Sequence, residues 1–239
     1  MTDARDESID LRRRRLLARA AVLTGIATLN VTLAIRNVLA MANTPAIPGI
    51  RMLKGTITVN AKPGKVGDLV SPGDTLVTGP DSQAIVVHNQ DALMIRANTT
   101  VRIDSDDKTF INLMRITAGA VLSVWGPRKQ VINITTPIAA IGIRGTGIYV
   151  DSTPEFTYAC TCYGLADLIP VAAPDKMKTV KTTYHDAPHY IYPDADRPLE
   201  KAPVINHTDE ELILLEELFR RVPPFTEHPN YLNAGGGGY

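Results

Sequence analysis

The sequence predicts a mainly β protein: one domain of short stacked strands, built as a sandwich or a short β-solenoid, with a helix at each end. Between residues 55 and 169, short apolar runs recur and are separated by Gly, Pro, Asn and Asp. This is the pattern of strands joined by tight turns. No stretch in that region repeats its apolar residues with the period of a helix. The formal net charge of zero and the aromatic fraction of 5% give no reason to expect a nucleic-acid partner.

The first 42 residues predict an export signal or a membrane anchor. Arginines at 12–15 and 19 precede an uncharged run, Ala20–Ile35, and Ala40-Met41-Ala42 follows it. The arginines resemble a twin-arginine signal, and the A-x-A sequence is of the type cut by signal peptidase. An uncleaved anchor is the alternative, and an amphipathic helix on a cytosolic protein is a third interpretation. The first two keep the arginines on the cytoplasmic side, so we expect the remainder in the periplasm, free or anchored to the inner membrane.

Residues 43–54 contain two prolines and are predicted to be a linker. The β-domain, residues 55–169, follows it. Its strands are expected at the apolar runs Thr56–Val59, Thr75–Thr78, Ala84–His88, Leu93–Arg96, Phe110–Ile116, Val121–Trp125 and Val131–Ile134.

The stretch from 134 to 150 organises the β-domain. Apolar residues alternate with others on both sides of Arg-Gly-Thr-Gly, which predicts a strand, a sharp corner and a second strand. Tyr149 is predicted to lie on the face opposite to the isoleucines. The guanidinium of Arg144 offers five donors in a planar fork. We therefore expect it to tie down backbone carbonyls at the corner, with a ligand- or anion-binding role as the alternative. Arg144, Gly145 and Thr146 are the candidate site residues here.

The same stretch, read from Thr136 as Thr-Pro-x-Ala-x-Ile-x-Ile-Arg-Gly-Thr-x-x-x-Val, resembles the signature of the FecR domain. The resemblance covers roughly residues 55–169, and its further motifs are Val66–Asp68, Pro72–Gly79, Ala84–Val87, Asn89–Ile95, Asn98–Ile103 and Ile116–Leu122. It implies a periplasmic all-β module of the type found in iron-uptake regulators and other proteins of the bacterial envelope.

The remainder of the chain predicts one helix that docks on the β-domain. Residues 170–206 are rich in proline and are predicted to lie extended over the domain rather than to form a second core. A helix is expected within 207–225, because Thr208 and Glu211 fit a capping box. A helix this short must dock, on its own β-domain by default or on a partner. Residues 226–239 are predicted to be a flexible tail.

Cys160 and Cys162 are the residues best suited to chemistry. Two positions apart on a strand, they share one face, and a disulfide between them would be strained. Together with His185 and His189 they could complete a four-ligand site of zinc type. The Cys-x-Cys spacing and the proline between the histidines weaken that interpretation. We expect the histidines to lie too far away and the thiols to serve packing or redox chemistry.

The other histidines are isolated in the sequence. His207 directly precedes the Thr208 cap, which gives it a local structural explanation.

The sequence therefore predicts a non-enzymatic protein of the bacterial envelope. G-x-S-x-G, H-E-x-x-H and phosphate-loop motifs are absent. FecR-type regulators place a sigma-binding helical domain before the membrane span, whereas about fifteen residues precede the apolar run here, too few for such a domain. We expect a periplasmic binding, scaffolding or signalling module without a cofactor, whose partner is an envelope protein and whose N-terminal helix contacts the membrane if uncleaved. The alternative is a metal- or redox-handling protein that uses Cys160 and Cys162.

The export prediction has a direct test. A reporter that is active only in the periplasm, fused after Gly49, should be active in the native host, because the arginine-rich start and the weak apolar run direct the remainder outward. Replacing the arginines at 13 and 14 by lysine should abolish that activity if the signal is of the twin-arginine class. An inactive wild-type fusion found in the cytosolic fraction would contradict export.

Overall fold

The computed structural model describes residues 46–106 and 111–233. The predicted signal or anchor at 1–42 lies outside the described residues. Within the described ranges, no helix is long and apolar enough to cross a membrane.

Strands dominate the described residues. They are β1 (Gly49–Lys54), β2 (Ile57–Val59), β3 (Lys62–Pro63), β4 (Thr75–Thr78), β5 (Gln83–His88), β6 (Asp91–Ile95), β7 (Thr100–Asp104), β8 (Leu113–Val124), β9 (Ile132–Thr135), β10 (Ala139–Ser152), β11 (Thr157–Pro170), β12 (Lys178–Thr182), β13 (His189–Ile191) and β14 (Leu199–Lys201). Helices follow at α1 (Asp209–Glu217) and α2 (Pro229–Asn233), with single 3₁₀ turns at Pro174–Lys176 and Pro224–Glu227. The predicted mainly β class with a C-terminal helix is confirmed.

The strands form one open sheet that folds into two layers. Three long strands, β8, β10 and β11, run through both layers and change partners midway. The first half of β8 pairs with β7 and β9, and its second half pairs with β6 and β10. Likewise, β11 pairs with β13 near its start and with β12 near its end. Because nearly all of these pairings are antiparallel, the fold is a sandwich rather than a solenoid of parallel coils.

The core between the layers takes one face of each strand. Ile141, Ile143, Ile148 and Val150 all belong to it, as the alternation in the sequence predicts. Tyr149 points the other way, into a second apolar cluster on the outer face of one layer. The sheet is therefore covered on both faces of that layer, by the other layer and by the C-terminal segment.

Two glycines shape the corner where β10 and β11 bend together. The register between these strands shifts between Arg144 and Gly147. Gly145 has a φ of +54° and faces open space, whereas Gly164 has a φ of +99° and lies against the backbone of Gly145. A side chain at Gly164 would come within 2.6 Å of the Gly145 carbonyl oxygen, so the bend of β11 requires glycine.

Several predicted boundaries are wrong. The linker predicted at 43–54 contains β1, which pairs with β5. The predicted strands Phe110–Ile116 and Val121–Trp125 both overlap one strand, β8 (Leu113–Val124), and Phe110 lies outside the described residues. The segment predicted as an extended cover at 170–206 adds β12, β13 and β14 to the sheet, with its prolines between the strands rather than inside them.

The end of the chain is more ordered than predicted. The capping box of Thr208 and Glu211 is present, and α1 packs on β6 and β8 of its own domain. The described part of the segment predicted as a tail, 226–233, includes α2, and Phe225 and Tyr231 are buried in the outer cluster. Helix α1 buries six consecutive residues, Leu212–Glu217, rather than a single stripe.

Alanine substitutions at the two corner glycines should separate conformational strain from steric overlap. Gly145→Ala should cost about 1–2 kcal/mol of unfolding free energy, because only a left-handed backbone is strained. Gly164→Ala should cost about 2–4 kcal/mol, since the methyl group also meets a backbone carbonyl. Urea unfolding of both variants checks the order, and equal losses would contradict the packing described for the corner.

Candidate functional site

The candidate site lies on the outer face of β11, where the pleat places both cysteines. Cys160 and Cys162 are fully buried in the outer apolar cluster, and both are free thiols. Their common face confirms the prediction from their spacing. Positions two apart on an extended strand are roughly 6.6–6.8 Å apart at Cα, the upper limit for a disulfide.

Two histidines from the C-terminal segment reach these thiols. His185 follows β12 in a turn with a φ of +47°, and its backbone N–H donates to the Cys162 carbonyl at 3.0 Å. The His185 Nδ1 lies 3.3 Å from the Cys160 Sγ. The His207 Nε2 lies 3.2 Å from the same His185 nitrogen. One nitrogen or sulfur atom from each of the four side chains lies within 4.8 Å of the others.

The predicted ligand His189 is not part of this cluster, and His207, interpreted as a capping neighbour, takes its place. His189 lies on β13 and pairs with Ala159. Paired residues on adjacent strands share a face, and Ala159 belongs to the core between the layers. His189 is therefore on the opposite face of the sheet from Cys160. The expectation that both histidines would lie too far from the thiols is wrong for His185.

Groups around the cluster hold both imidazoles in fixed orientations. The His185 Nε2 lies 3.1 Å from the Asp209 carboxylate, which also accepts from the Tyr184 hydroxyl at 2.8 Å. The His207 Nδ1 lies 2.7 Å from the Ile205 carbonyl. The His207 ring also stacks on Tyr149, with ring centroids 4.8 Å apart. Carboxylates and carbonyls only accept, so these nitrogens donate and the other nitrogen of each ring faces the cysteines.

The electrostatics of the cluster favour one thiolate and one imidazolium. Burial raises the pKa of Cys160, but hydrogen bonds from Cys162, His185 and His207 outweigh it and hold that pKa well below its usual value. Burial, followed by its bond to Cys160, raises the pKa of Cys162 well above the usual range. For His185, burial lowers the pKa, yet Asp209 and Cys160 raise it to about 9.

The chemistry open to this cluster is constrained by its burial. Two sulfur and two nitrogen atoms are the donor set that soft or borderline metal ions prefer. The thiols are 0% exposed, so a partner thiol or disulfide has no access to them in the folded state. The arrangement therefore favours a closed centre over an exchange reaction with another protein.

Comparison with known proteins identifies the β-domain. Residues 74–162 match the protein family described as FecR protein. These residues therefore form a FecR-type domain. The match begins next to β4 and ends at Cys162, so it contains both cysteines, whereas His185 and His207 lie beyond it.

Solved structures give a more distant likeness. Two crystal structures of a candidate anti-sigma factor from Parabacteroides distasonis each share 11% identity with this chain, at a TM-score of 0.45. Each alignment covers 54% of this chain and 58% of the other. Among curated proteins, none matches the sequence.

Arg144 does not make the contacts with backbone carbonyls that its sequence position predicts. The guanidinium of Arg144 lies 3.2 Å from the Asp167 carboxylate, and its side chain is 43% exposed. The expectation that Arg144 clasps backbone carbonyls is therefore wrong. The exposed ion pair with Asp167 is of a kind that contributes at most about 1 kcal/mol.

The corner is instead tied by the threonine of the Arg-Gly-Thr sequence. Thr146 is fully buried. Its hydroxyl lies 2.8 Å from the Arg144 carbonyl and 3.1 Å from the Leu165 carbonyl, and donates to either. A short polar side chain thus joins the two bent strands at the point where their regular ladder is interrupted.

Substitutions at Thr146 and Arg144 test whether the threonine, rather than the arginine, ties the corner. Thr146→Val should lower the free energy of unfolding by about 1–3 kcal/mol, because two part-buried carbonyls lose a donor at nearly unchanged side-chain volume. Arg144→Ala should lower it by no more than about 1 kcal/mol. Thermal and urea unfolding measure both, and a larger loss for Arg144→Ala would restore the arginine as the clasp.

Proposed function

We propose that this chain is an exported, non-enzymatic signalling module of the bacterial envelope that binds a protein partner through its FecR domain. The match of residues 74–162 to the FecR family carries the proposal. The arginine-rich start, the weak apolar run and the A-x-A sequence support a periplasmic location, free or anchored at the inner membrane.

The position of the unusual ionisable groups supports a binding role over catalysis. Shifted pKa values mark candidate catalytic groups when they occur in an open cleft. Cys160 and His185 have shifted pKa values, but their side chains are at most 4% exposed beneath the C-terminal segment. The same burial argues against the alternative of a metal- or redox-handling protein that transfers its cargo or electrons to a partner.

A loop beside β1 is the surface that we propose for the protein partner. Leu69 and Val66 are 71% and 51% exposed, and Ile47 near the start of β1 is also exposed. Backbone hydrogen bonds hold this loop against β1: Ile50 donates to Asp68 at 2.9 Å, and Gly67 donates to Ile50 at 2.8 Å. Val66 and Leu69, three residues apart on this fixed loop, offer apolar contacts that a protein partner can cover. The outer face of the neighbouring layer is already covered by α1.

Photo-crosslinking in the native host tests the proposal. A photoreactive amino acid at Val66 should give a discrete adduct with one envelope protein, and Leu69→Asp should abolish that adduct because it places a charge in the apolar contact. The matched control is the same amino acid at Ala195, an exposed position in the turn between β13 and β14.

The crosslinking results at Val66 and Ala195 distinguish a specific contact from a nonspecific one. An adduct from Val66 that is lost in Leu69→Asp and absent from Ala195 supports the proposed surface. No adduct from Val66, or an equal adduct from Ala195, would contradict it.

A further inference from the structure

We infer that Cys160, Cys162, His185 and His207 form a closed, tetrahedral zinc site that fastens the C-terminal segment to the FecR domain. This inference goes beyond the proposed function and does not depend on which partner the module binds.

Two of the distances between ligand atoms are close to those of a tetrahedral shell. Zn–S bonds of about 2.3 Å and Zn–N bonds of about 2.0–2.1 Å place neighbouring ligand atoms roughly 3.3–3.8 Å apart. The Cys160 Sγ to His185 Nδ1 distance is 3.3 Å, and the His185 Nδ1 to His207 Nε2 distance is 3.2 Å. All four donor atoms lie within 4.8 Å of one another, so one small ion fits between them with minor adjustment of the side chains.

One nitrogen of each imidazole is hydrogen-bonded to a group outside the cluster, and this orients the other nitrogen toward the cluster. Asp209 accepts from the Nε2 of His185, and the Ile205 carbonyl accepts from the Nδ1 of His207. The remaining nitrogens face each other across 3.2 Å, a distance at which one proton or one cation must lie between them. If a cation replaces that proton, both nitrogens direct a lone pair toward it. A carboxylate or carbonyl on the far nitrogen is the usual support of a metal-bound histidine.

The ligand atoms and their burial favour zinc over magnesium and calcium. Thiolates and imidazoles suit zinc, whereas magnesium and calcium require oxygen ligands. Two thiolates neutralise a divalent ion, which makes the centre compatible with side chains that are at most 4% exposed. Because four protein ligands complete the shell and leave no open position, the site is of the structural type rather than the catalytic type.

The ligands connect parts of the chain that are far apart in sequence. Both cysteines lie on β11 within the FecR domain, whereas His185 lies 25 residues beyond Cys160 and His207 a further 22. Helix α1 begins two residues after His207, at Asp209. An ion at this point therefore closes two long loops and fixes the start of the helix that covers the outer face.

Several contacts already guide this segment, and the ion would act together with them. Tyr158 donates to the Pro203 carbonyl at 2.9 Å and accepts from the Ile205 backbone N–H at 3.3 Å. The guanidinium of Arg96 meets both carboxylate oxygens of Glu211 at 2.7 Å. These bonds place His207 and the start of α1 next to the cysteines, so the site is largely pre-formed.

Metal analysis of the full chain, purified under reducing conditions with zinc supplied, tests the site. We expect about one zinc ion per chain, and cobalt substitution should give the intense d–d bands of a tetrahedral ion with thiolate-to-metal charge transfer. Cys162→Ser and His207→Ala should each lose the stoichiometric metal and the cobalt spectrum. His189→Gln is the matched control and should retain both, since His189 lies on the other face of the sheet.

The wild-type chain keeps the test decisive even if a variant fails to fold. Folded wild-type protein that binds neither zinc nor cobalt would overturn the site, as would a mass two daltons below the reduced value that shows a Cys160–Cys162 disulfide in place of metal.

The fastening role has its own readout. Removing zinc from the wild-type chain with a chelator should lower the melting temperature and open the 170–206 segment to limited proteolysis, and zinc should reverse both. A metal-loaded chain whose melting temperature and proteolysis are unchanged by the chelator would overturn the fastening role.

Discussion

The alternation of side chains along β11 is the constraint on which the rest of the structure depends. Ala159 faces the core between the layers, whereas Cys160 and Cys162 face the outer cluster. A one-residue shift in the pairing of this strand would exchange the two faces. It would also turn the thiols to the face of the sheet opposite to His185 and His207. Correct registration of β11 against β10 therefore positions the core, the covering segment and the cysteine cluster at once.

The outer layer shows how polar groups are accommodated under a helix that packs on an apolar face. Asp209 and Glu216 are both buried at α1. Asp209 accepts from Tyr184 and His185, and Glu216 contacts Tyr163 and Arg221. Unpaired buried charges would be costly, so these contacts make the helix position specific as well as stable. The zinc ion that we propose would complete the pairing at the Cys–His cluster.

Within residues 46–106 and 111–233, the C-terminal segment extends the sheet of the FecR domain. β12 and β13 pair with successive parts of the edge of β11 that β10 leaves open, and α1 covers the outer face. A partner that binds this module must approach from other surfaces, such as the loop that carries Leu69.

The corner between β10 and β11 is held by a less conspicuous side chain than its arginine. Arg144 forms an exposed ion pair with Asp167, whereas the buried hydroxyl of Thr146 joins the two strands.

The sequence alone determined the features that rest on local pattern. Alternation along 141–150 predicted which residues enter the core, and the capping box of Thr208 predicted where α1 begins. The family likeness also followed from the order of motifs. The cysteines were correctly placed on one face because a strand has a period of two residues.

The tertiary structure decided the partners of those elements. The proline-rich composition gave no indication of β12 to β14, because such short strands are stabilised by pairing with a neighbouring strand, β11 or β13, rather than by their own sequence. The sequence did not indicate a role for His207, since the side chains that it contacts in the cluster lie tens of residues away and no fixed spacing connects them. His189, nearer in sequence, is excluded because its pairing with Ala159 turns it to the opposite face of the sheet. Spacing along the chain determines the face on which a side chain lies, but only the path of the folded chain determines which faces meet.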